Sequence, residues 1–285
     1  VDYYQSEFAF MIQQGMTLLG HWHTTLNIRQ PLALLERRIS QIAPDVLWGH
    51  MLLWPPPTPT GIPSEVQAMS LLSLCQQARE RGARVLIHDG DARAETRFPQ
   101  DISSAVDVAL CNHQADRSAW GIPFYRWPYG AFVQRAVADP DPAWTVPLLF
   151  AGRLGESPMY AGRTEFVRAL QQALGARMRV VDPTEDARQH TLFLTPTVAA
   201  SAGAVLGWGR PEAHGWTDVR VFQYPGAGGI LLHDDVQGFL APWDHYVPVV
   251  RGDLASCLDA LAWVEGSPAA MQAMLAQTVQ GAAAV

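Results

Sequence analysis

The sequence predicts an α/β protein made of two successive halves, each a parallel sheet covered by helices. Three observations carry this. Strand-like runs alternate with helix-like runs up to about residue 136, and the same alternation restarts after residue 147. The stretch between them, VADPDPAWTVP (137–147), is proline-rich and polar and reads as a linker. At 285 residues the chain is long for one core and comfortable for two domains. Such alternation favours a parallel sheet, because a parallel connection needs a crossover, and the crossover helix covers a face. The expected domains are 1–140 and 146–285, with the last helix a candidate to return to the first.

In the N-terminal half, residues 3–15 read as a helix ending at Gly15, and MTLLGHW as a short strand. Residues 31–42 place Leu32, Leu35, Ile39 and Ile42 at helical spacing. PDVLWGHMLLW is a buried strand and PPPTPTGIP a rigid loop. Residues 64–81 form a helix with Ser64 as N-cap and Gly82 as the residue that ends it. ARVLIHDGD and VDVALCN follow as strands. In the second half, VPLLFAGRL, ARMRVVD, HTLFLTP, GAVLGWG and HYVPVVRG read as strands, and GRTEFVRALQQALG and DLASCLDALAWV as helices. GWTDVRVFQYPGAGGILLHDD (215–235) reads as a short helix, a glycine-rich turn and a buried strand, and the last 20 residues as a helix.

Composition excludes several classes. With 48% hydrophobic and 16% charged residues the chain is globular, not disordered. A net charge of −7 argues against a generally basic surface for nucleic acid, although a local basic groove remains compatible with it. Cys75, Cys111 and Cys257 are scattered, and their odd number suits reduced thiols and a cytoplasmic setting. No apolar run approaches the roughly 20 residues of a membrane helix, and no signal peptide is visible. The chain opens at Val1 on helix-like sequence, so a first strand upstream is expected.

Ligands of open parallel sheets bind outside the carboxyl ends of strands, so the residues after each strand matter most. GRLGESPMYAGR follows the strand at 147–151. Gly152 allows close backbone approach, and Arg153 and Arg163 bracket a loop that enters a helix. Arginine pairs bidentately with phosphate oxygens, and a helix N-terminus adds positive potential. The alternative is that both arginines are solvated surface charges. Later, Thr217 or Asp218 can cap a short helix carrying Arg220, Phe222, Gln223 and Tyr224, before Gly226, Gly228 and Gly229 break it. That helix end could hold a diphosphate while Gln223 or Tyr224 reaches a sugar. Equally, Phe222 and Tyr224 could be core residues and the glycines only a tight turn.

AGRLGESPMYAGRTEFVRAL (151–170) and VRVFQYPGAGGILLHDD (219–235) together resemble the C-terminal half of the spore-maturation-type glycosyltransferases, in the group-1 branch of the GT-B superfamily. The resemblance covers roughly residues 146–265; the N-terminal half matches only in layout, through PDVLWGH and RWPYGA. It implies two Rossmann-like domains facing across a cleft. The C-terminal domain would bind a nucleotide-diphosphate sugar and the N-terminal one an acceptor. One departure matters. The family has Glu where this chain has Gln223, and its second Glu, eight residues earlier, falls on Gly215, with Glu212 out of register. Gln can hydrogen-bond a hydroxyl but carries no charge, so retaining chemistry is less secure.

The N-terminal half offers HDGD (88–91) at a strand's carboxyl end. Asp91, then Asp89 and His88, are the candidates for a general base on the acceptor hydroxyl. Asp-x-Asp could also hold Mg²⁺ or Mn²⁺, or be ordinary turn chemistry. His21 and His23 lack a third ligand at zinc spacing, and GAGG follows a helix where a dinucleotide fingerprint follows a strand. Of the ten tryptophans most suit the core, while Trp54, Trp127 and also His113 are expected on the acceptor side.

The reading is a metal-free glycosyltransferase with no cofactor. Arg153, Arg163 and Arg220 neutralise the diphosphate of a donor, with a UDP-sugar favoured. The acceptor could be a small molecule, a glycan, a protein or a hydroxymethylated base in DNA, as in phages that decorate their DNA. ERR, RERGAR and RAETR could supply a basic rim for the last. A non-catalytic nucleotide-sugar-binding protein and a nucleotide-sugar epimerase or hydrolase stay open as alternatives.

Overall fold

The computed structural model describes residues 13, 15–28, 30–50, 64–89, 102–111, 118–126, 141–152, 154–155, 161–182, 201–208, 224–225, 228–234, 244 and 246–283. Two compact units emerge. The first comprises Val1–Pro128 with Glu212–Trp216, the second Tyr129–Pro211 with Thr217–Val285. No helix among the described residues is long and apolar enough to cross a membrane.

The first unit holds a four-stranded parallel sheet in the order β1-β2-β3-β4: Val46–His50, Arg84–Asp89, Val108–Cys111 and Phe124–Arg126. Helix α1 (Leu32–Ile42) buries Leu35 and Ile39, one turn apart on a single face. Helix α2 (Ser64–Glu80) packs Leu71, Leu74, Cys75 and Ala78 against Val85 and Ile87 of β2. β2 is central and its burial is almost continuous, as a parallel strand covered on both faces requires. β1 lies at the edge of the sheet among the described strands, and Val46 is 50% exposed, so the strand expected to be buried is only partly so.

Gly82 and Gly20 end helices through the left-handed region. Gly82 (φ +100°) does so after α2, as its sequence position implied. Its N–H donates to Arg79 O at 2.9 Å, and Ala83 N–H to Ala78 O at 3.1 Å. Near the N-terminus the expectation fails. Gly15 lies inside a helical turn that continues to Leu18, and MTLLGHW is not a strand. The terminator is Gly20 (φ +76°), with Gly20 N–H on Thr17 O at 3.0 Å and His21 N–H on Met16 O at 2.9 Å. Glycine tolerates a helix interior at modest cost, so its presence alone did not mark the end.

The second unit holds a five-stranded parallel sheet in the order β6-β5-β7-β8-β9. The strands are β5 Leu148–Ala151, β6 Met178–Val181, β7 Ala204–Leu206, β8 Leu231–His233 and β9 Val247–Pro248. Side chains alternate between its faces. Leu148, Phe150, Leu206 and Leu232 join a core with Phe166, Val167 and Leu170 of α3 (Ala161–Leu174) and Cys257 and Leu261 of α4 (Leu254–Gly266). Met271 and Met274 of α5 (Pro268–Ala283) belong to the same core. Leu149, Ala151, Val205 and Leu231 face a second layer made by Trp144, Tyr224 and Tyr246.

Residues 141–147, read as linker, are part of this second layer. Asp141 caps a short 3-10 helix, Pro142–Trp144, through Ala143 N–H at 2.9 Å. Trp144 is 8% exposed, and the Arg179 guanidinium lies 3.9 Å from its ring centroid. The prolines that suggested a linker set that helical turn, and one tryptophan anchors it.

Candidate functional site

In the second sheet the chain leaves β5 outward to β6 and leaves β7 the opposite way to β8. The carboxyl ends of β5 and β7 therefore form the sheet's topological switch point, where open parallel sheets bind ligands. Gly152 follows β5, and Gly207 and Trp208 follow β7.

The loop after β5 is held by three contacts. Gly152 N–H donates to Val181 O at 2.9 Å. Leu154 N–H donates to the Asp182 carboxylate at 2.9 Å. The Thr164 hydroxyl, 4% exposed in the first turn of α3, accepts from Gly155 N–H and donates to Gly155 O, both at 3.0 Å. Arg163 stands beside Thr164, half-buried, with its guanidinium 6.0 Å from the Phe150 ring centroid. A cation in the first turn of a helix opposes the dipole, and that turn of α3 carries no acidic residue. The helix end and Arg163 together set positive potential beside the carboxyl end of β5.

A second cluster lies at the ends of β7, β8 and β9. His233 closes β8 and is 2% exposed; Asp234 follows and is 6% exposed. His233 Nδ1 lies 3.1 Å from Asp234 Oδ1 and also against the Asp234 carbonyl oxygen. Both neighbours are acceptors, so Nδ1 carries the proton. Arg251 Nε donates to Asp234 Oδ2 at 2.6 Å, and its guanidinium lies 5.1 Å from the Trp208 ring centroid. Trp208 in turn packs on Phe166 of α3, ring centroids 5.0 Å apart. The ring of His233 meets Tyr246 edge-on at 6.4 Å. Sequence reading passed over this group. Its signal was present in LLHDD, a histidine and an aspartate at a strand's carboxyl end, the feature that drew attention to HDGD.

The glycine-rich segment has a backbone explanation. Tyr224 O accepts from Gly229 N–H at 2.8 Å and Pro225 O from Gly228 N–H at 3.0 Å, and Gly228 has φ +84°. This is a helix terminator of the kind seen at Gly82. A Cβ on Gly228 would meet nothing within 4 Å, so conformation and not close approach sets the residue. Tyr224 is 1% exposed and packs with Trp144 and Leu231. It covers the sheet as a core side chain, where the reading of it as a sugar contact required an accessible ring.

In the first unit β2 ends on His88 and Asp89, 1% and 8% exposed. Asp89 is in register with Cys111, and Cys111 with Arg126, across the carboxyl ends of β2, β3 and β4. Asp91, Trp54, Trp127, His113, Arg153, Asp218, Arg220, Phe222, Gln223 and Gly226 lie outside the described residues. Of the sequence-predicted donor residues the structure brings Gly152 and Arg163 to the β5 end of the second sheet, and Gly228 and Gly229 to the start of β8.

Solved structures share this fold. One, described as "Trehalose-6-phosphate from E. coli bound with UDP-2-fluoro glucose", is 14% identical, with 89% of this chain and 73% of that chain covered and a TM-score of 0.56. Another, of Anabaena Alr3699/HepE in complex with UDP, is 11% identical, with 89% and 77% covered and a TM-score of 0.53. No protein-family model matches the chain, and no curated protein matches it. The likeness is one of fold. It agrees with the α/β class and with two Rossmann-like domains of parallel strands.

Proposed function

We propose that this protein is a glycosyltransferase of the GT-B type, moving a sugar from a nucleotide-diphosphate donor, a UDP-sugar, to a hydroxyl acceptor. The carrying observation is the switch point of the second sheet. There Arg163 and the N-terminus of α3 stand beside the β5 end and set positive potential at the place where the topology puts a ligand. A diphosphate suits that potential. Proteins of the same fold are described in complex with UDP and with UDP-2-fluoro glucose, which supports this ligand class.

In this reading residues 146–285 form the donor domain and residues 1–140 the acceptor domain. Gly152 lets the ligand approach the backbone, and Arg153, Arg163 and Arg220 neutralise the leaving diphosphate in place of a metal. Gln223 contacts the sugar. Asp91 serves the acceptor hydroxyl as base, with Asp89 and His88 behind it. Trp54, Trp127 and His113 line the acceptor side. The acidic net charge of −7 favours a small or glycan acceptor over duplex DNA.

The test is calorimetric titration with UDP and UDP-glucose, in Mn²⁺ and in EDTA, followed by assays for sugar transfer. The expected result is selective binding that ignores EDTA, and transfer that needs an acceptor. Absence of binding by any nucleotide diphosphate overturns the reading. Binding that requires Mn²⁺ moves the chemistry to Asp89 and Asp91, and product formed from donor alone makes the protein a hydrolase or epimerase.

A further inference from the structure

We infer that His233 is a ligand-binding residue of the donor site, whose Nε2 accepts a hydrogen bond from a hydroxyl of the nucleotide sugar. The inference rests on the donor reading above and adds to it a residue, a direction of hydrogen bonding and a ligand group.

Position comes first. His233 ends β8, the neighbour of β7, and its ring lies over Gly207, the first residue beyond β7 at the switch point. A Cβ built on Gly207 would stand 2.2 Å from His233 Cδ2 and 3.0 Å from Nε2. The imidazole thus fills the side-chain space of residue 207. Glycine there brings ring and backbone turn together at the place where the topology sets a ligand.

Hydrogen-bond accounting comes second. Nδ1 faces the carboxylate and the carbonyl oxygen of Asp234 and is fixed as the donor. Asp234 is itself held by Arg251 through Oδ2, so its Oδ1 is fixed in place and the ring cannot turn without giving up its contacts with Asp234. Nε2 is buried and has no hydrogen-bond partner among the described residues. A buried polar atom left without a partner is costly, and native proteins rarely carry one without a use. Two features of the site agree on the use: a fixed tautomer, and an open valence at the ligand-binding end of the sheet.

The fixed tautomer also selects the ligand group. In the neutral ring Nε2 offers a lone pair, which repels a phosphate oxygen and receives an O–H. The phosphates belong with Arg163 and the N-terminus of α3, and the hydroxyls belong with His233. A hydroxyl can come from the ribose or from the transferred sugar, and both have the same chemistry toward Nε2.

Two substitutions separate the ring's roles. His233→Asn keeps an amide donor near the Nδ1 position and deletes the Nε2 acceptor. His233→Gln places an amide where Nε2 stood and can restore an acceptor. The probes are UDP-glucose, UDP and 2′,3′-dideoxy-UDP, titrated calorimetrically into the full chain, with thermal unfolding as the folding control. His233→Asn is expected to weaken the hydroxyl-bearing probe roughly five- to tenfold, with His233→Gln recovering part of the loss. If the loss appears for UDP-glucose but not UDP, the sugar hydroxyl is the donor. If it appears for both and vanishes with dideoxy-UDP, the ribose is. Equal affinity of the unaltered chain and His233→Asn for all three probes overturns the inference and leaves the donor reading standing. So does an equal loss for all three, which marks a purely structural role. If the unaltered chain binds none of the three probes, the donor reading falls and this inference falls with it. Should His233→Asn fail to fold, His233→Gln decides alone: a change in the ratio of affinities between probes supports the inference, and an unchanged ratio overturns it.

Discussion

The imidazole of His233 occupies the space in which a side chain on Gly207 would lie, with its Cδ2 2.2 Å from the Cβ position. Gly207 is therefore glycine for lack of room, not for backbone conformation. Gly207→Ala forces the ring of His233 to shift against Asp234 and Tyr246. Overpacking of this kind costs about 1–3 kcal/mol. The urea-unfolding midpoint of Gly207→Ala should fall accordingly. Adding His233→Asn, a smaller side chain, should recover part of that loss, giving a coupling of about 1 kcal/mol in the double-mutant cycle. Simple additivity would show that the two residues do not meet.

Gly228 is the contrasting case. It has open space around its Cβ position but sits at φ +84°. Gly228→Ala should cost about 1 kcal/mol through the left-handed conformation alone. Gly228→Asn, better tolerated in that region, should cost visibly less. Equal losses for Ala and Asn would mean that something other than φ selects the glycine.

The two glycines show what sequence could and could not convey. Alternation of strand-like and helix-like runs was enough for two helix-covered parallel sheets, because each run is long and strongly patterned. Gly82 was read correctly since it follows a well-marked helix. Gly15 was not, because glycine also survives inside a helix and the true terminator, Gly20, lay in a segment that resembled a strand. Trp144 was lost among prolines, since local composition does not report that this tryptophan stacks under Arg179 of β6, whose guanidinium also bonds Ala143 O. The β5 loop and Arg163 were legible as a strand followed by glycine and arginine. His233, Asp234 and Arg251 were not, because their partnership spans two strands and exists only once β8 and β9 pair.

The buried thiols give a pH dependence. Burial pushes Cys75 and Cys257 up to about 12. In the unfolded chain they titrate near the ordinary thiol value of about 8.5. Because the folded pKa is the higher one, the unfolded state releases its protons first as pH rises. Stability from this source is whole below the unfolded pKa and is lost as pH climbs through the folded one. Urea midpoints should therefore decline between about pH 9 and pH 12, and less steeply in Cys75→Ala. At pH 8 iodoacetamide should label neither thiol until the chain unfolds, and rapid labelling of the native protein would contradict their burial.

Arg163→Met tests the charge at the switch point while keeping an apolar stem against Phe150. Two outcomes follow from its place in the first turn of α3. Without ligand, removing a cation that opposes the helix dipole should leave thermal stability unchanged or slightly raised, by a few tenths of a kcal/mol. With UDP, loss of a charge-assisted contact should weaken binding by about 1–3 kcal/mol, seen as a higher dissociation constant in calorimetry. Raising salt should narrow the gap between Arg163→Met and the unaltered chain, since an exposed part of the attraction is screened. Arg163→Lys should recover part of the affinity, because lysine keeps the charge but not the planar fork. A variant that loses stability and binds UDP as before would show that Arg163 packs on Phe150 as a structural cation and that the diphosphate, if bound, lies elsewhere.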